Sequence, residues 1–369
     1  MFKKFLCFVF VFVLQVYSGC IYAKAPTVSG QAAVVIEQDS GKIIYEKNAH
    51  LQLPMASTTK IMTAICTIEN INTNIPVTVS SKAVGVEGSS VYLKKGEVIT
   101  VKELLYGMML NSGNDAAVAL AIAVSGSIEE FCSLMNETAE NIGAKNTNFT
   151  NPSGLYEENH YTTAYDLALI SAYALKNPLF QKIVSTKETK ISMGSDASRY
   201  LKNHNKLLWM YDGCTGVKTG YTKKCGRCLV SSARKDAVTL VSVTLNAPND
   251  WDDHKKMLDY GFSSLTKSVI ATKGEFAATL NSNGINLPLH FDKKVEIPAV
   301  QPDEIKVSYK LNHNIQLPVY SGHTLGRAVF KYNGKVIASA DLVTKNDISY
   351  MPDKNFMQVF IYGIKGFIL

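Results

Sequence analysis

The stretch Met55-Ala-Ser-Thr-Thr-Lys-Ile61 places a hydroxyl, Ser57, three residues before an amine, Lys60. It follows Pro54 and leads into apolar residues at helical spacing, so we expect a helix to begin here. Residues three apart lie on one face of a helix, and the two side chains can therefore meet. A serine beside an amine at a helix start is a candidate activated nucleophile. The competing interpretation is a helix cap followed by a surface lysine.

The composition sets the size and the class of the protein. The chain has 369 residues, which is more than one ordinary domain, so two domains are expected. Apolar residues make up 46% and charged residues 19%, which permits a large core and argues against extensive disorder. The net charge is +7, and part of it lies in the first 25 residues. This mild excess suits an anionic envelope surface and is too small to predict a nucleic-acid partner.

Residues 1–25 have the composition of a secretory signal peptide. Lys3 and Lys4 precede an uncharged apolar run, and Ala23-Lys-Ala25 offers a cleavage site. The apolar run is too short to span a bilayer stably, although a retained anchor is the alternative. Tyr17-Ser-Gly-Cys20 resembles a lipoprotein cleavage box with Tyr where Leu is usual, which leaves lipidation of its cysteine as a minor alternative. We therefore expect the chain to be exported.

The opposite end, residues 350–369, is also apolar. Its last part, 356–369, contains a single charge and is too short to cross a membrane. We expect it to lie in the membrane interface with its aromatic residues embedded. The alternative is a final strand or helix docked on the core.

Five cysteines follow the predicted signal peptide, an odd number that does not fit a disulfide scaffold. Cys225 and Cys228 form one C-x-x-C without a second pair or paired histidines, so we expect no zinc and no other metal. We expect mostly buried thiols. A disulfide between Cys225 and Cys228, or between Cys214 and Cys225, stays open.

Hydrophobic periodicity divides the chain into strands and helices. A β-hairpin is predicted over 32–45, and the helix of the opening stretch follows it. Short strands are expected within 76–100. Further helices are expected over 101–110, 116–124, 128–142, 163–175 and 250–265, and three successive strands over 214–221, 226–233 and 237–245. Strands thus open and close the region 27–265, with helices between. This order predicts an α/β (α+β) fold in which the first strands join the last ones in one sheet, around a helical insertion.

A second, all-β domain is predicted over residues 268–347. Its short strands are expected at 304–311, 315–320, 327–332 and 335–340, and Asn333-Gly334 is a strong hairpin turn.

Two further motifs accompany Ser57 and Lys60. Ser112-Gly-Asn114 lies between two predicted helices, and Lys218-Thr-Gly220 lies near the end of a predicted strand. Each triplet alone is uninformative. Together, in this order and on these elements, they form the motif set of class A β-lactamases and penicillin-binding proteins.

With these residues, the chain resembles the low-molecular-mass penicillin-binding proteins, serine D-alanyl-D-alanine carboxypeptidases of the peptidase S11 type. The matching stretches are 55–63, 104–117, 151–155 with 160–164 and 166–167, and 212–213 with 217–222. The resemblance covers residues 27–265 and implies a β-lactamase/transpeptidase-like fold, with an antiparallel sheet flanked by helices and a helical subdomain. The C-terminal β domain and the apolar tail resemble that family more loosely. An enzyme at the extracytoplasmic face of a bacterial cell membrane is implied.

The resemblance implies removal of the terminal D-alanine from peptidoglycan pentapeptide stems through an acyl-enzyme on Ser57, which β-lactams also acylate. Lys60 is the general base, which requires a neutral amine, and burial beside Lys218 would lower its pKa. Ser112 relays a proton to the leaving nitrogen. Asn114 orients Lys60 and the substrate. No cofactor is expected.

One strand is expected to bind the substrate. Lys218 supplies positive charge, the Thr219 hydroxyl points to the terminal carboxylate, and Gly220 lets the substrate approach the backbone. The resemblance further implies an oxyanion hole made by the backbone N–H groups of Ser57 and Tyr221.

Two histidines belong to segments that match the family. His204 is a further candidate for contact with the carboxylate, at a segment where some relatives carry Arg. His160 is expected to be structural and to position its loop.

Three other functions compete with this one. A class A β-lactamase would use a general-base glutamate for deacylation; Glu157 and Glu158 follow Ser112 at tempting spacing, but within the carboxypeptidase-like stretch. The same nucleophile could also serve a DD-endopeptidase or transpeptidase acting on cross-bridges. A non-catalytic wall-binding or β-lactam-sensing protein is the third, and the intact motif residues argue against it.

Overall fold

A computed structural model describes residues 24–192, 198–235, 238–265, 267–282, 285–298, 304–316, 318–332 and 334–349. The predicted interface segment 350–369, and all but two residues of the predicted signal peptide, lie outside the described residues.

The described residues form helices and strands with the following bounds. The helices are α1 Lys60–Asn70, α2 Val101–Leu110, α3 Asn114–Ser125, α4 Ile128–Ile142, α5 Ala164–Ala174, α6 Pro178–Ser185, α7 Leu207–Met210 and α8 Asp250–Ser264. The strands of the first part are β1 Ala32–Glu37, β2 Ile43–Lys47, β3 Pro76–Thr78, β4 Val98–Thr100, β5 Glu188–Ser192, β6 Ser198–Lys202, β7 Cys214–Thr222, β8 Gly226–Lys235 and β9 Val238–Leu245. The later strands are β10 Lys267–Ala271, β11 Phe276–Ser282, β12 Ile285–Phe291, β13 Val295–Pro298, β14 Lys306–Leu311, β15 Thr324–Tyr332 and β16 Lys335–Val343.

A five-stranded antiparallel sheet organises the first part, in the order β2-β1-β9-β8-β7. Strand β1 pairs with β9, with Val34 opposite Val243, so the first strands do meet the last ones. Strand β7 forms one edge of this sheet, which leaves one side of its backbone available to a ligand. The predicted mixed fold with an antiparallel sheet flanked by helices is confirmed.

Both faces of the sheet are covered, and β1 shows this directly. Its six residues are all buried. Val34 and Ile36 belong to the large core shared with the helices of the insertion, whereas Val35 belongs to a smaller core with Met257 of α8. Side chains alternate across a strand, so one strand contributes to both layers.

The helical insertion agrees closely with the predicted helices, and α2 and α4 have the predicted bounds. A capping box of Thr100 and Glu103 starts α2, and Ser127 caps α4. The insertion also contains elements that the periodicity did not predict, namely α6, the hairpin of β5 and β6, and α7. Asn177 accepts hydrogen bonds from two backbone N–H groups of α6, ahead of Pro178 at its first position.

The later strands form a second core. Strands β11, β12, β16, β15 and β14 make an antiparallel sheet, and β10 pairs with β13. The prediction of a strand over 315–320 is wrong, because among the described residues of this segment only Val319 forms a bridge, an isolated one with Ile348. Strands β10 to β13 were not predicted individually. The β15–β16 hairpin is confirmed, with Tyr332 opposite Lys335. The boundaries 27–265 and 268–347 remain our proposal for how the chain divides.

All five cysteines of the described residues are free thiols, and four of them are buried.

Among the described residues no single helix is long and apolar enough to cross a membrane. The bent pair of α3 and α4 meets that criterion by length and composition only.

Candidate active site

The nucleophile segment begins with a 3-10 turn, Ala56–Thr59, which leads directly into α1. Ser57 makes no helix-capping hydrogen bond, so the predicted helix start holds while the cap interpretation does not. Thr58 and Thr59 turn their hydroxyls to the carbonyls of Met55 and Ala56, at 2.6 and 2.9 Å. The turn is therefore fixed by its neighbours, and the Ser57 hydroxyl is available for chemistry.

Lys60 is the first residue of α1 and is fully buried. Its Nζ lies 2.9 Å from Ser57 Oγ, 2.7 Å from Asn114 Oδ1 and 2.5 Å from the Ser153 carbonyl oxygen. Three acceptors around one amine fix its position at the serine hydroxyl. The predicted meeting of the hydroxyl and the amine is present.

The loop between α2 and α3 carries Ser112 and Asn114, both buried. Ser112 has a φ of +61°, a backbone conformation that few residues other than glycine adopt. The backbone N–H of Asn114 donates to the Ser89 carbonyl at 2.7 Å, and its Nδ2 donates to the Glu87 carbonyl at 2.5 Å. The segment 87–89 thus orients the amide, whose oxygen faces Lys60.

Lys218 approaches from the edge strand β7 and is also buried. Its Nζ donates to Ser112 Oγ at 3.1 Å and to the Thr219 carbonyl at 2.9 Å. Two lysines from distant parts of the chain therefore reach the same small polar cluster. Ser112 contacts one of them, and Asn114 contacts the other.

Burial determines how these lysines titrate. Burial lowers the pKa of Lys60 well below its ordinary value, and the positive charge of Lys218 lowers it further; Asp115 opposes both effects. Burial also lowers the pKa of Lys218. Two ammonium groups repel each other in such a site, so a charged Lys218 favours the neutral form of Lys60. A neutral Lys60 is what a general base requires.

Gly220 lies against the nucleophile turn. A Cβ built on it would lie 3.0 Å from the backbone nitrogen of Ser57 and 3.2 Å from the Met55 carbonyl oxygen. Any side chain here would occupy the space beside the Ser57 backbone nitrogen. Glycine keeps that space open.

The other predicted residues lie around this cluster. On β7, Lys218 and Gly220 are buried, Thr219 is partly buried, and the Tyr221 side chain is 64% exposed. His204 lies at the protein surface, and partial desolvation together with the positive charge of Lys218 lowers its pKa. Among the described residues no group of three or more His, Cys, Asp or Glu side chains could hold a metal ion.

A buried histidine supports the nucleophile turn. His160 Nδ1 accepts from the Thr150 backbone N–H at 3.1 Å, so the ring proton is on Nε2, which faces Thr59 Oγ1 at 2.8 Å. The Thr59 hydroxyl in turn donates a hydrogen bond to the Ala56 carbonyl oxygen. Burial lowers the pKa of His160 to about 4, so the ring is neutral near pH 7. The expectation of a structural role agrees with this geometry.

Some functional contacts were not foreseen. The Ser153 carbonyl binds Lys60, and the carbonyls of Glu87 and Ser89 bind Asn114. Backbone acceptors carry no signal in side-chain patterns, so the sequence could not reveal them. Asp115 follows the second motif directly and could have been noticed; it accepts from the Ser90 hydroxyl at 2.6 Å and from the Leu93 N–H at 3.0 Å.

Comparison with known families agrees with this geometry. The profile of the D-alanyl-D-alanine carboxypeptidase family matches residues 21–249, and that of the penicillin-binding protein 5 C-terminal domain matches residues 269–350. The chain therefore belongs to the D-alanyl-D-alanine carboxypeptidase family of low-molecular-mass penicillin-binding proteins. The predicted resemblance is confirmed, and the protein is a serine-type D-Ala-D-Ala carboxypeptidase.

Individual relatives span most of the chain. D-alanyl-D-alanine carboxypeptidase DacF of Bacillus subtilis is 35% identical, over 86% of this chain and 85% of that protein. D-alanyl-D-alanine carboxypeptidase DacC of Escherichia coli is 32% identical, over 92% of this chain and 90% of that protein. The structure of penicillin binding protein 5 from Haemophilus influenzae, at 30% identity, superposes with a TM-score of 0.66 over 89% of this chain and all of that one. The structure of the DD-transpeptidase of Streptomyces K15, at 32% identity, superposes with a TM-score of 0.62 over 65% of this chain and all of that one.

Gly154 offers a test of how tightly the nucleophile turn is held. It has a φ of +86°, and a Cβ built on it would overlap the Ala56 carbonyl group. Gly154→Ala should displace the turn and slow labelling by a fluorescent penicillin by about 100-fold.

The control for this substitution is Gly126→Ala. Gly126 has a similar φ of +80° but nothing within 4 Å. The Gly126→Ala variant should lose only about 1–2 kcal/mol of stability and keep the labelling rate of the unmodified enzyme. Equal labelling by both variants would show that the turn does not depend on this contact.

The electrostatic coupling of the two lysines predicts a change in pH dependence. In Lys218→Gln the ammonium that lowers the pKa of Lys60 is absent, so the pKa of Lys60 rises and the acid limb of the acylation rate moves to higher pH. Burial, the larger cause of the lowered Lys60 pKa, remains in this variant. The acid limb should therefore still lie below the pH range in which an ordinary lysine titrates. The measurement is the rate of acylation by a small β-lactam across pH, with the exposed Lys206→Gln as control. An unmoved limb would mean that Lys218 does not tune the base.

Proposed function

We propose that this chain removes the terminal D-alanine from peptidoglycan stem peptides through an acyl-enzyme on Ser57. The observation that carries the proposal is the buried Lys60 amine, 2.9 Å from Ser57 Oγ, with a lowered pKa. Such an amine can take the serine proton at neutral pH and so generate the nucleophile.

In the acylation step, Ser57 Oγ attacks the carbonyl carbon between the last two D-alanines while its proton passes to Lys60. The oxygen that becomes negative lies in front of the Ser57 N–H, in the space that Gly220 leaves open. The Tyr221 N–H is the second donor of this oxyanion hole in our proposal. The partial charge of the α1 start adds to the stabilisation.

Collapse of the tetrahedral intermediate breaks the C–N bond, and the leaving D-alanine needs a proton on its nitrogen. Ser112 is suited to deliver it, because its hydroxyl accepts from Lys218 Nζ at 3.1 Å and lies in the same cluster as Lys60. Water then attacks the Ser57 ester, with Lys60 again as base. The ester is hydrolysed, and the shortened stem leaves.

Substrate orientation is assigned to β7. The terminal carboxylate lies toward the Lys218 ammonium and the Thr219 hydroxyl, with His204 as a further contact within range of Lys218. Asn114 holds Lys60 through its Oδ1 and keeps one N–H for the substrate backbone, since Nδ2 has two protons and Glu87 uses one. β-lactams acylate the same serine, because they present a strained amide and a carboxylate in the same arrangement.

The central experiment measures D-alanine released from a peptide ending in D-Ala-D-Ala. Ser57→Ala should abolish both this release and penicillin labelling, because Ser57 is the hydroxyl that the Lys60 amine contacts. Ser133→Ala, an exposed serine on α4, is the control and should behave as the unmodified chain. Continued release by Ser57→Ala would refute the mechanism. Rapid penicillin turnover, in place of a long-lived adduct, would identify a β-lactamase.

We also propose that the enzyme works outside the cytoplasm, at the membrane surface. Its relatives are named for carboxypeptidases of D-Ala-D-Ala ends, which are found in cell-wall peptidoglycan. The composition of residues 1–25 and 350–369 supports export and interfacial attachment.

Deletion of residues 356–369 tests the attachment. The truncated chain should appear in the soluble fraction after cell lysis, whereas full-length Ser57→Ala should stay with the membranes. Penicillin labelling of the truncated chain confirms that it is folded. A truncated chain that still sediments with membranes would exclude the tail as the anchor.

A further inference from the structure

A cavity lies beside the nucleophile turn and is not used in the mechanism above. Its volume is about 380 Å³, in the range of small-molecule sites. It is formed by the chain just before the turn, at Pro54, by the loop that carries Tyr156 and Glu158, and by Lys224 in the turn after β7. His160, which supports the nucleophile turn, also lines it.

The direction of β7 relates this cavity to the substrate. The reacting carbonyl lies at the level of Gly220, because this residue faces the Ser57 nitrogen. In the proposed function the leaving D-alanine points back along β7 to Lys218. The rest of the stem must then run the other way, past Tyr221 toward Lys224. The residue next to the acylated D-alanine is the third residue of the stem, and a long side chain on it would reach the cavity.

The cavity carries one charge of each sign. Lys224 supplies an ammonium, 5.4 Å from the centre of the Tyr156 ring, and Glu158 supplies a carboxylate. Within the described part of the chain, neither side chain has an ion-pair partner. Both charges are therefore available to a ligand that enters the cavity.

The third residue of peptidoglycan stems is a diamino acid, and its side chain ends in one of two ways. A lysine ends in an ammonium alone, which Glu158 would attract and Lys224 would repel. A diaminopimelic acid residue ends in an ammonium and a carboxylate on one carbon. Only the second type complements both charges of the cavity.

We propose that this cavity binds the side-chain end of the third stem residue, and that Lys224 and Glu158 select a zwitterionic end such as that of diaminopimelic acid. The inference rests on the proposed carboxypeptidase function and on the direction of the stem along β7.

The test compares two pentapeptides that differ only in residue three, meso-diaminopimelic acid or lysine, by kcat/KM for D-alanine release. The unmodified enzyme should prefer the diaminopimelyl peptide. Lys224→Ala should lower kcat/KM for that peptide by about three- to ten-fold, as expected for one partly exposed ion pair, and so reduce the preference. Glu158→Gln should lower kcat/KM for both peptides, because both carry the ammonium.

Lys223→Ala is the matched control, because this lysine precedes Lys224 in the same turn but does not line the cavity. It should keep the preference of the unmodified enzyme. No preference in the unmodified enzyme, or equal effects of Lys223→Ala and Lys224→Ala, would overturn the inference. Penicillin labelling distinguishes a failure of the proposed function from a failure of this inference. If release and labelling are both absent, the proposed function fails; if both are present without a preference, only the inference fails.

Discussion

The site depends on the burial of two lysines in one polar cluster. An ammonium that leaves water needs acceptors, and Lys60 has three of them. Even so, burial and the second positive charge favour the neutral amine. The protein thus maintains an unfavourable electrostatic arrangement that favours the neutral amine, the form that a general base requires. The surrounding residues hold Lys60 at the Ser57 hydroxyl and Lys218 at the Ser112 hydroxyl.

Backbone groups do much of that work. The carbonyl of Ser153 and the segment 87–89 bind Lys60 and Asn114, and two glycines allow the close approach of chains around the nucleophile turn. At Gly154 and Gly220 a side chain would overlap or crowd the turn. The geometry of the reactive groups is therefore set by loops whose own side chains take no part in the reaction.

The sequence was most informative where local rules and long-range structure agree. The bounds of α2 and α4 follow from apolar spacing with caps at both N-termini, and the three motif triplets lie where the motif set predicts. It was least informative for short elements. Segment 315–320 is rich in apolar and β-branched residues, yet Val319 alone among its described residues pairs with another segment, because strand formation requires a neighbour that composition does not specify. In the hairpin of β5 and β6, burial alternates along β6, but one of its two buried residues is the charged Arg199, so the alternation is not visible in the hydrophobic pattern. The start of α6 did carry a signal, an asparagine followed by proline, which the periodicity alone does not use.

The strand order of the central sheet has a consequence for when the enzyme becomes active. Strand β7, which carries Lys218, is joined to β1 only through β8 and β9. The pairing of β1 with β9 spans more than half of the chain and is formed late in chain order, because contacts of such separation must wait for the whole intervening segment. A growing or truncated polypeptide that stops before β9 has β7 and β8 but lacks the strand that joins them to β1. The sheet that brings Lys218 to the cluster with Ser57 and Lys60 is therefore continuous only once β9 has been synthesised.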